Sequence, residues 1–307
     1  MLTYASLAQH ADQFLAMTAY TVEEFQALLP AFRAEFVAYT AKFTLAGRPR
    51  GKRAYSAYKN SPLPTIEDKL LFILVYLKQN SLQTAHGVLF GMAQPDANQW
   101  IHLLHPLLNQ ALAALGAHPA RTATTFTPET EATLIFWQDG TERPIPRPTD
   151  ATARRLYYSG KKKHHTLKNI VVINPDSRVI FLSQTCEGTK HDKRAADEAG
   201  YTLPANSVLL QDIGFQGFTL AEVLILQPQK KPRGHDLPPE TRLDNQAIAA
   251  LRIQIEHAIG GVKRYRIVKD EIRNWKAGFR DKVMETCCAL HNFRLTFRPW
   301  SHEPLAC

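Results

Sequence analysis

The chain has 307 residues, 45% of them hydrophobic, and its formal net charge is +9. Its length exceeds the usual size of one domain, so one large domain and a smaller one are expected. No apolar run reaches the roughly eighteen residues that a membrane-spanning helix needs, and the first residues lack the layout of a signal peptide. We therefore expect a cytoplasmic, nucleoid-associated protein.

The positive charge favours a polyanionic partner such as DNA, because each phosphate that is neutralised releases counterions. The four cysteines include no C-x-x-C pair. This spacing argues against both a disulfide framework and a structural zinc site.

Residues 1–46 are predicted to form an N-terminal helical segment. Thr21 and Glu24 have the spacing of a capping box, and apolar residues follow at helical intervals. Pro30 is expected to kink this helix. Residues 47–64 are rich in Arg, Lys, Gly and Pro, which predicts a solvated basic linker that could also lie against a phosphate backbone.

Residues 65–120 show the helix pattern of a helix-turn-helix domain. A long helix, a short helix and a third helix that begins near Pro95 follow one another. In such a domain the last helix enters the major groove of DNA. Asn98 and Gln99 would then lie at its leading end, within reach of base edges. A plain helical bundle fits the same pattern, and the pattern alone does not separate the two interpretations.

Over residues 131–298 the period of the apolar residues changes. Three β-rich runs, a short helix and two further β-rich runs are followed by two long helices, near 239–265 and 277–295. This order predicts an α/β domain with a mixed sheet.

Two of the predicted strands end in an acid, the first at Asp139 and the fourth at Asp212. Open α/β sheets place their chemistry at strand ends, where such carboxylates would project. Taken singly, each acid is explained more simply as the start of a turn.

A third acid lies on the predicted helix near 239–265. Arg252, Glu256 and Lys263 are four and seven residues apart, so at ~100° per residue they share one face of the helix. A salt-bridged solvent face would explain the same spacing. The neighbouring face is rich in isoleucine, so the helix is expected to be partly buried. An acid between two cations on a docked helix suits the joint binding of phosphate and metal.

Three carboxylates would supply the oxygen ligands that Mg²⁺ prefers, and this ion is commonly shared between carboxylates and substrate phosphates. Two such ions ~3.5–4 Å apart can activate the attacking oxygen and stabilise the leaving oxygen of an in-line displacement. Neither His nor Cys is required for this chemistry.

Six motifs then occur in order along the chain. They are DGTERPIPRP at 139–148, YSGKKKHHTLKN at 158–169, GTKHD at 188–192, QDIGFQG at 211–217, QKKPRG at 229–234, and an N-to-R-to-E-to-K stretch from Asn245 to Lys263. Together they resemble the DDE transposases of bacterial insertion sequences, in the branch related to eukaryotic Harbinger-type elements. The resemblance covers about residues 131–295, and the helices before it are similar to the helix-turn-helix domain of the same proteins.

The resemblance implies a ribonuclease-H-like α/β fold, with a mixed five-stranded sheet flanked by helices and preceded by an all-α helix-turn-helix domain. It also implies that Asp139, Asp212 and Glu256 are the catalytic and metal-binding triad, with two Mg²⁺ (or Mn²⁺) ions in each active site. Arg252 and Lys263 match the basic positions that flank the glutamate, where contacts to phosphate or to the DNA ends are expected.

Two further basic groups are expected to contact the DNA backbone. The first lies in 154–168, where six residues are Lys or Arg and none is acidic, and it consists of Lys161, Lys162, Lys163 and Lys168. The second consists of Lys230, Lys231 and Arg233. A solvated loop is the alternative interpretation of both groups.

Four residues are candidate supports of the triad: His191, Asp192, Asn245 and His257. Asp192 opens a predicted helix and could act simply as its N-cap. His257 points ~100° away from Glu256 around the helix, so packing is the simpler role for it.

We therefore expect a transposase that binds double-stranded DNA at the terminal inverted repeats of a mobile element. It would hydrolyse the phosphodiester at each end, and the 3′-hydroxyl would then attack target DNA. Because two ends must be handled together, a homodimer or a higher oligomer is expected, and no membrane partner.

Two alternatives remain open. One is a metal-dependent endonuclease that cuts without joining strands, and the other is a catalytically silent, domesticated DNA-binding protein that has kept the fold.

Overall fold

The structure is a computed structural model. It describes residues 1–58, 60–122, 134–232 and 234–300. Packing contacts divide the chain into two compact units. The helical unit comprises Met1–His118 and Lys263–Phe297, and the sheet unit comprises the described residues of Pro119–Val262 together with residues 298–300. The domain bounds expected from the sequence remain a prediction.

The helices are, in chain order, α1 (Tyr4–Leu7), α2 (Ala11–Thr18), α3 (Val22–Lys42), α4 (Ile66–Gln79), α5 (Gln83–Leu89), α6 (Gln94–Ala114), α7 (Ala151–Tyr157), α8 (Asp192–Ala199), α9 (Pro239–Val262), α10 (Arg266–Lys269) and α11 (Phe279–Leu295). The strands are β1 (Ile135–Pro144), β2 (Tyr158–Ser159), β3 (His164–Ile173), β4 (Val179–Leu182), β5 (Cys186–Glu187), β6 (Ser207–Leu210) and β7 (Val223–Leu226). In the described part of the chain, no helix is long and apolar enough to cross a membrane.

Local capping signals define the helices of the helical unit. The Thr21 side chain accepts a hydrogen bond from the Glu24 amide, and the Glu24 side chain accepts one from the Thr21 amide, which confirms the capping box at the start of α3. Thr65 and Asp68 form the same box before α4. Asn80 ends α4 with a left-handed φ of 50°. The predicted succession of a long, a short and a third helix is confirmed as α4, α5 and α6.

The sheet unit contains a mixed sheet, as the sequence predicted. Strand β1 lies between β3, which is antiparallel to it, and β6, which is parallel to it. Strand β7 continues the parallel side beyond β6, and β4 pairs with β3 in antiparallel orientation. Two-residue strands, β2 and β5, also pair with β3, so the sheet has seven strands in the described residues rather than the five predicted.

One face of this sheet is covered by α8. The hydrophobic core between α8 and the sheet consists mainly of aromatic and aliphatic side chains of the strands, packed against two alanines of α8. It includes Phe136, Ile170, Val172, Phe181, Ala195, Ala196, Leu209 and Phe215. Small residues on α8 allow the helix to lie close to the strands. The start of α8 is thereby held near the middle of β1.

The expectation that β1 ends at Asp139 is wrong. Pairing with β3 continues from Asp139↔Val171 to Pro144↔Thr166, so Asp139 lies inside a ten-residue strand. The apolar pattern stops at Trp137, but Gln138, Thr141 and Arg143 are also buried. Because these buried side chains are polar, the second half of the strand shows no apolar pattern from which a strand could be predicted.

Candidate active site

The sheet register brings Asp139 and Asp212 to the same level on neighbouring strands. Trp137 of β1 is the partner of Leu210 of β6 in a parallel ladder. Each acid lies two residues beyond that pair, and the pairing with β6 ends before it. Parallel strands lie about 4.8 Å apart and residues two apart share a face, so both carboxylates leave the sheet side by side on one face.

The Asp139 carboxylate lies in a partly buried and negatively charged setting. Its Oδ1 accepts a hydrogen bond of 2.8 Å from the backbone N–H of Gly140. The pKa of Asp139 is raised to about 6, mainly by burial; the Gly140 N–H and Arg252 oppose this rise, and the carboxylates of Asp212 and Asp192 contribute to it. Carboxylates that repel each other in this way suit the binding of a cation.

Asp212 is placed by the turn that follows β6. Its Oδ1 accepts a hydrogen bond of 2.7 Å from the N–H of Ile213, which opens the short 3-10 helix Ile213–Phe215. The same oxygen lies 3.4 Å from Nη1 of Arg252 on α9. Asp212 therefore has one fixed backbone partner and one cationic side-chain partner.

Helix α9 carries Arg252 to the two aspartates and is tied to the sheet at this point. Nε1 of Trp137 donates a hydrogen bond of 2.8 Å to the carbonyl of Leu251. The Arg252 side chain is only 13% exposed. Its Nε is buried and has no hydrogen-bond partner among the described residues.

Glu256 lies one turn beyond Arg252 on α9, on an exposed position. Arg252 pairs with Asp212 rather than with Glu256, so the salt-bridged solvent face considered above is not formed. Within the described ranges, no three His, Cys, Asp or Glu side chains form a group that could hold a metal ion. The structure thus brings two of the three predicted acids together, and the role of Glu256 remains a prediction.

The donor set at the two aspartates fits a hard divalent cation. Mg²⁺ is usually bound by one or two carboxylates, with substrate phosphates and water completing its shell. The adjacent carboxylates of Asp139 and Asp212 supply two such ligands. Their mutual repulsion adds to the effect of burial on the pKa of Asp139, and a bound cation would relieve it.

Asp192 is not the N-cap of α8, which was one interpretation of the sequence. The N-cap position is taken by His191, whose side chain makes no capping hydrogen bond. The Asp192 carboxylate instead accepts a hydrogen bond of 2.7 Å from Nζ of Lys168. A Cβ added to Gly140 would lie 2.8 Å from Oδ1 of Asp192, and one added to Gly214 would lie 2.8 Å from its Oδ2. The Asp192 carboxylate therefore fills the space between those two glycines.

Lys168 does not lie on an exposed surface with the other predicted DNA-contacting lysines. It is 6% exposed in β3, and its Nζ also donates a hydrogen bond of 2.6 Å to the carbonyl of Lys190. The sequence groups Lys168 with the neighbouring lysines because all of them lie in one basic segment, but the Lys168 side chain is on the buried face of β3. The pairing of Lys168 with Asp192 had no local sequence signal, because the two residues are 24 positions apart.

The other lysines of the first group are exposed. Lys161, Lys162 and Lys163 form the turn that leads into β3, where Lys163 has a left-handed φ of 56°. The Ser159 side chain accepts a hydrogen bond of 3.2 Å from the Lys162 amide. Three adjacent cations on a defined turn are compatible with contacts to a phosphate backbone.

In the second basic group, Lys230 and Lys231 are exposed, and Arg233 lies outside the described residues. The Asn245 side chain joins this loop to α9, since it accepts a hydrogen bond of 2.8 Å from the Gln229 amide and donates one of 3.0 Å to the Gln229 carbonyl. Asn245 therefore positions the basic loop rather than contacting the acids.

The remaining candidates have separate locations. The His257 ring stacks on Trp300, with ring centroids 5.1 Å apart, which agrees with a packing role. Lys263 is the first residue after α9. In the helical unit, Gln99 is exposed at the start of α6, while Asn98 is half-buried and donates a hydrogen bond of 3.0 Å to Gln83.

The chain matches two models of known protein families. A family model described as DDE superfamily endonuclease matches residues 138–292, just over half of the chain. A second model, described as the helix-turn-helix of DDE superfamily endonuclease, matches residues 61–114 and so spans α4, α5 and α6.

The chain is also 26% identical over 239 residues to a probable transposase for insertion sequence element IS702 from Microchaete diplosiphon, an alignment that covers 77% of this chain and 83% of that protein. No solved structure was found to match. With the family model spanning both aspartates and Arg252, the chain belongs to the DDE superfamily of endonucleases and carries the helix-turn-helix of that superfamily.

Proposed function

We propose that this protein is a transposase that binds the terminal inverted repeats of a mobile element, cleaves DNA at its ends and joins the 3′-hydroxyl ends to target DNA. The observation that carries the proposal is the alignment of Asp139 and Asp212 beside Arg252. The similarity to a probable insertion-sequence transposase over most of both chains supports it.

In this proposal Asp139 and Asp212 would hold divalent cations, Mg²⁺ or Mn²⁺, with Glu256 as the third ligand and two ions in the complete site. Such cations stabilise the charge that develops on the attacking and leaving oxygens of an in-line displacement. Arg252 keeps Asp212 oriented, and its positive charge beside the acids favours a phosphate group of the DNA there.

The helix-turn-helix presents α6 to the terminal repeats. Both ends of the element must be processed together, so the active form is a homodimer or a higher oligomer. Lys263 and the exposed lysines of the two loops would contact the DNA backbone, which agrees with the net charge of +9.

Two measurements separate this function from its alternatives. Duplex DNA that carries the element's ends is incubated with the protein and Mg²⁺, and cleaved strands are quantified. Pre-cut ends are supplied in a second reaction, and joined products are sought. Cleavage without joining would identify a nuclease, and binding without either reaction would identify a DNA-binding protein.

The site itself is tested by Asp212→Asn, which should abolish cleavage and leave binding to the ends unchanged. Asp197→Asn is the matched control, because Asp197 is an exposed acid of the same unit whose ion pair is with Lys193 on α8. Cleavage by Asp212→Asn at the rate of the control would contradict the proposed site.

Glu256 needs a test of its own because the structure does not group its carboxylate with the aspartate pair. Glu256→Gln should also abolish cleavage, whereas Glu240→Gln, in the first turn of the same helix, should not. If Glu256→Gln cleaved DNA as fast as Glu240→Gln does, Glu256 would not belong to the triad, and the assignment of the aspartate pair would be unaffected.

A further inference from the structure

A polar cleft of about 570 Å³ opens in the helical unit, where α5 and α6 begin beside the segment that joins α10 to α11. Amide and hydroxyl side chains from the turn between α4 and α5 and from the start of α6 line one side. Residues 272–275 line the other, with Arg273 and Trp275 among them. None of the described lining residues is acidic.

The amides of this cleft are already held in place by one another. Oε1 of Gln83 accepts hydrogen bonds from Nε2 of Gln94 at 2.7 Å and from Nδ2 of Asn98 at 3.0 Å. Burial raises the pKa of the Tyr76 hydroxyl, and the nearby side chains of Gln83 and Asn274 oppose this rise. Side chains ordered in advance lose less conformational entropy when a ligand binds.

The opposite wall supplies a cation and an aromatic ring. Arg273 donates from Nη2 to the carbonyl of Asn80 at the end of α4, which orients its guanidinium at the mouth of the cleft. The Trp275 ring is 60% exposed, and the Arg280 guanidinium carbon lies 4.2 Å from its centroid. Arg273 and Trp275 are thus both exposed on this wall, and the Arg280 guanidinium packs on the Trp275 ring.

This combination of groups suits DNA better than a small molecule. Small-molecule pockets are mostly apolar and enclose their ligand, whereas this cleft is polar and open. Gln and Asn side chains pair with adenine, and Arg pairs with guanine or with phosphate. The cleft also continues the exposed leading end of α6, where Gln94 and Gln99 lie.

We propose that residues 272–275 complete the DNA-reading surface of the helix-turn-helix, so that the cleft takes the groove edge of a DNA duplex. The segment lies within the region that matches the endonuclease family, outside the region that matches the helix-turn-helix. The later part of the chain thus contributes to sequence recognition. This inference rests on the proposed binding of terminal repeats.

The test begins with a duplex selected by the full-length wild-type protein from a pool of randomised duplexes. Fluorescence anisotropy then measures the affinity for the selected duplex and for a scrambled duplex of the same composition. Asn274→Ala and Trp275→Ala should weaken binding to the selected duplex by about tenfold or more and change binding to the scrambled duplex little. Arg273→Ala should weaken selected binding at least as much.

Gln13→Ala and Arg33→Ala are the matched controls, because both residues are exposed in the same unit and do not line the cleft. Both should bind as the wild type does. Melting temperatures identify any variant whose loss comes from unfolding, and Trp275→Ala is the safest of the three because its ring is mostly exposed.

Folded cleft variants that bind the selected duplex as tightly as the controls would overturn the inference. An equal loss on both duplexes would overturn it as well, because it would show contact with the backbone only. A wild-type protein that selects no sequence would instead overturn the proposed recognition of terminal repeats itself.

Discussion

The most specific prediction concerns Gly214, two residues beyond Asp212. A Cβ at this position would lie 2.8 Å from Oδ2 of Asp192, whereas ordinary contacts begin at 3.4 Å. The movement of Asp192 is restricted, because Lys168 holds its Oδ1 at 2.7 Å and the same oxygen lies close to Gly140, as the 2.8 Å to an added Cβ there shows. The added methyl group must therefore displace either the Asp192 carboxylate, with its bond to Lys168, or the turn that carries Asp212.

Gly214→Ala should lower both stability and activity. Overpacking of this kind costs about 1–3 kcal/mol, which corresponds to about 2–4 °C in Tm for each kcal/mol in a domain of this size. A misplacement of about 1 Å in a catalytic group can reduce the rate on the order of a hundredfold. We expect a single-turnover cleavage rate at least tenfold below that of the wild type, measured with Mg²⁺ at a temperature where the variant is folded.

Gly160→Ala is the control, because a Cβ at Gly160 has no heavy atom within 4 Å and its backbone is not in the left-handed region. A second background tests the cause. In a Lys168→Met, Asp192→Ala double variant the obstructing oxygen is gone and no buried lysine is left unpaired, so adding Gly214→Ala should cost less than half as much Tm. An unaltered Tm in the single variant, or the same loss in both backgrounds, would refute the reasoning.

Two further predictions concern acid and salt. The pKa of His105 is lowered to about 3, mainly by burial and to a smaller extent by the charges of Lys282 and His102. Below the ordinary histidine pKa of about 6.5, the unfolded chain therefore binds a proton that the folded chain does not. The free energy of unfolding falls as the pH drops from about 6.5 towards 3. His105→Gln should reduce the loss of unfolding free energy between pH 7 and pH 5 by about 2 kcal/mol, as measured by urea unfolding, and an unchanged loss would contradict this. Replacing the three lysines of 161–163 by alanine should weaken binding to all DNA duplexes alike. The dependence of the binding constant on salt should fall by about one unit of slope for each phosphate that the variant no longer binds. A loss of binding confined to the duplex with the element's end would contradict this.

Much of the helical unit was predictable because its signals are local. Each of two helix starts is indicated by a capping-box pair within four residues, Thr21 with Glu24 and Thr65 with Asp68, and both boxes form. Asn80 ends α4 in the left-handed conformation that a short polar side chain tolerates. The order of helices followed from these signals without any knowledge of packing.

The position of the first acid shows where local signals stop. The sequence predicts a strand that ends at Asp139, because the apolar run stops there. In the folded chain, β3 supplies partners as far as Pro144, and buried polar residues replace the apolar pattern. Pairing with a distant strand therefore extended β1 beyond the point that periodicity can detect.

The sequence by itself determined which acids could form the site, which helices precede them and which motifs the chain shares with its family. Only the tertiary structure decided that Asp139 and Asp212 stand side by side, that Arg252 pairs with Asp212, and that Lys168 is buried against Asp192. The physical reason is that residue types and their spacing specify local conformation, whereas strand register and helix docking depend on contacts between residues far apart in the chain.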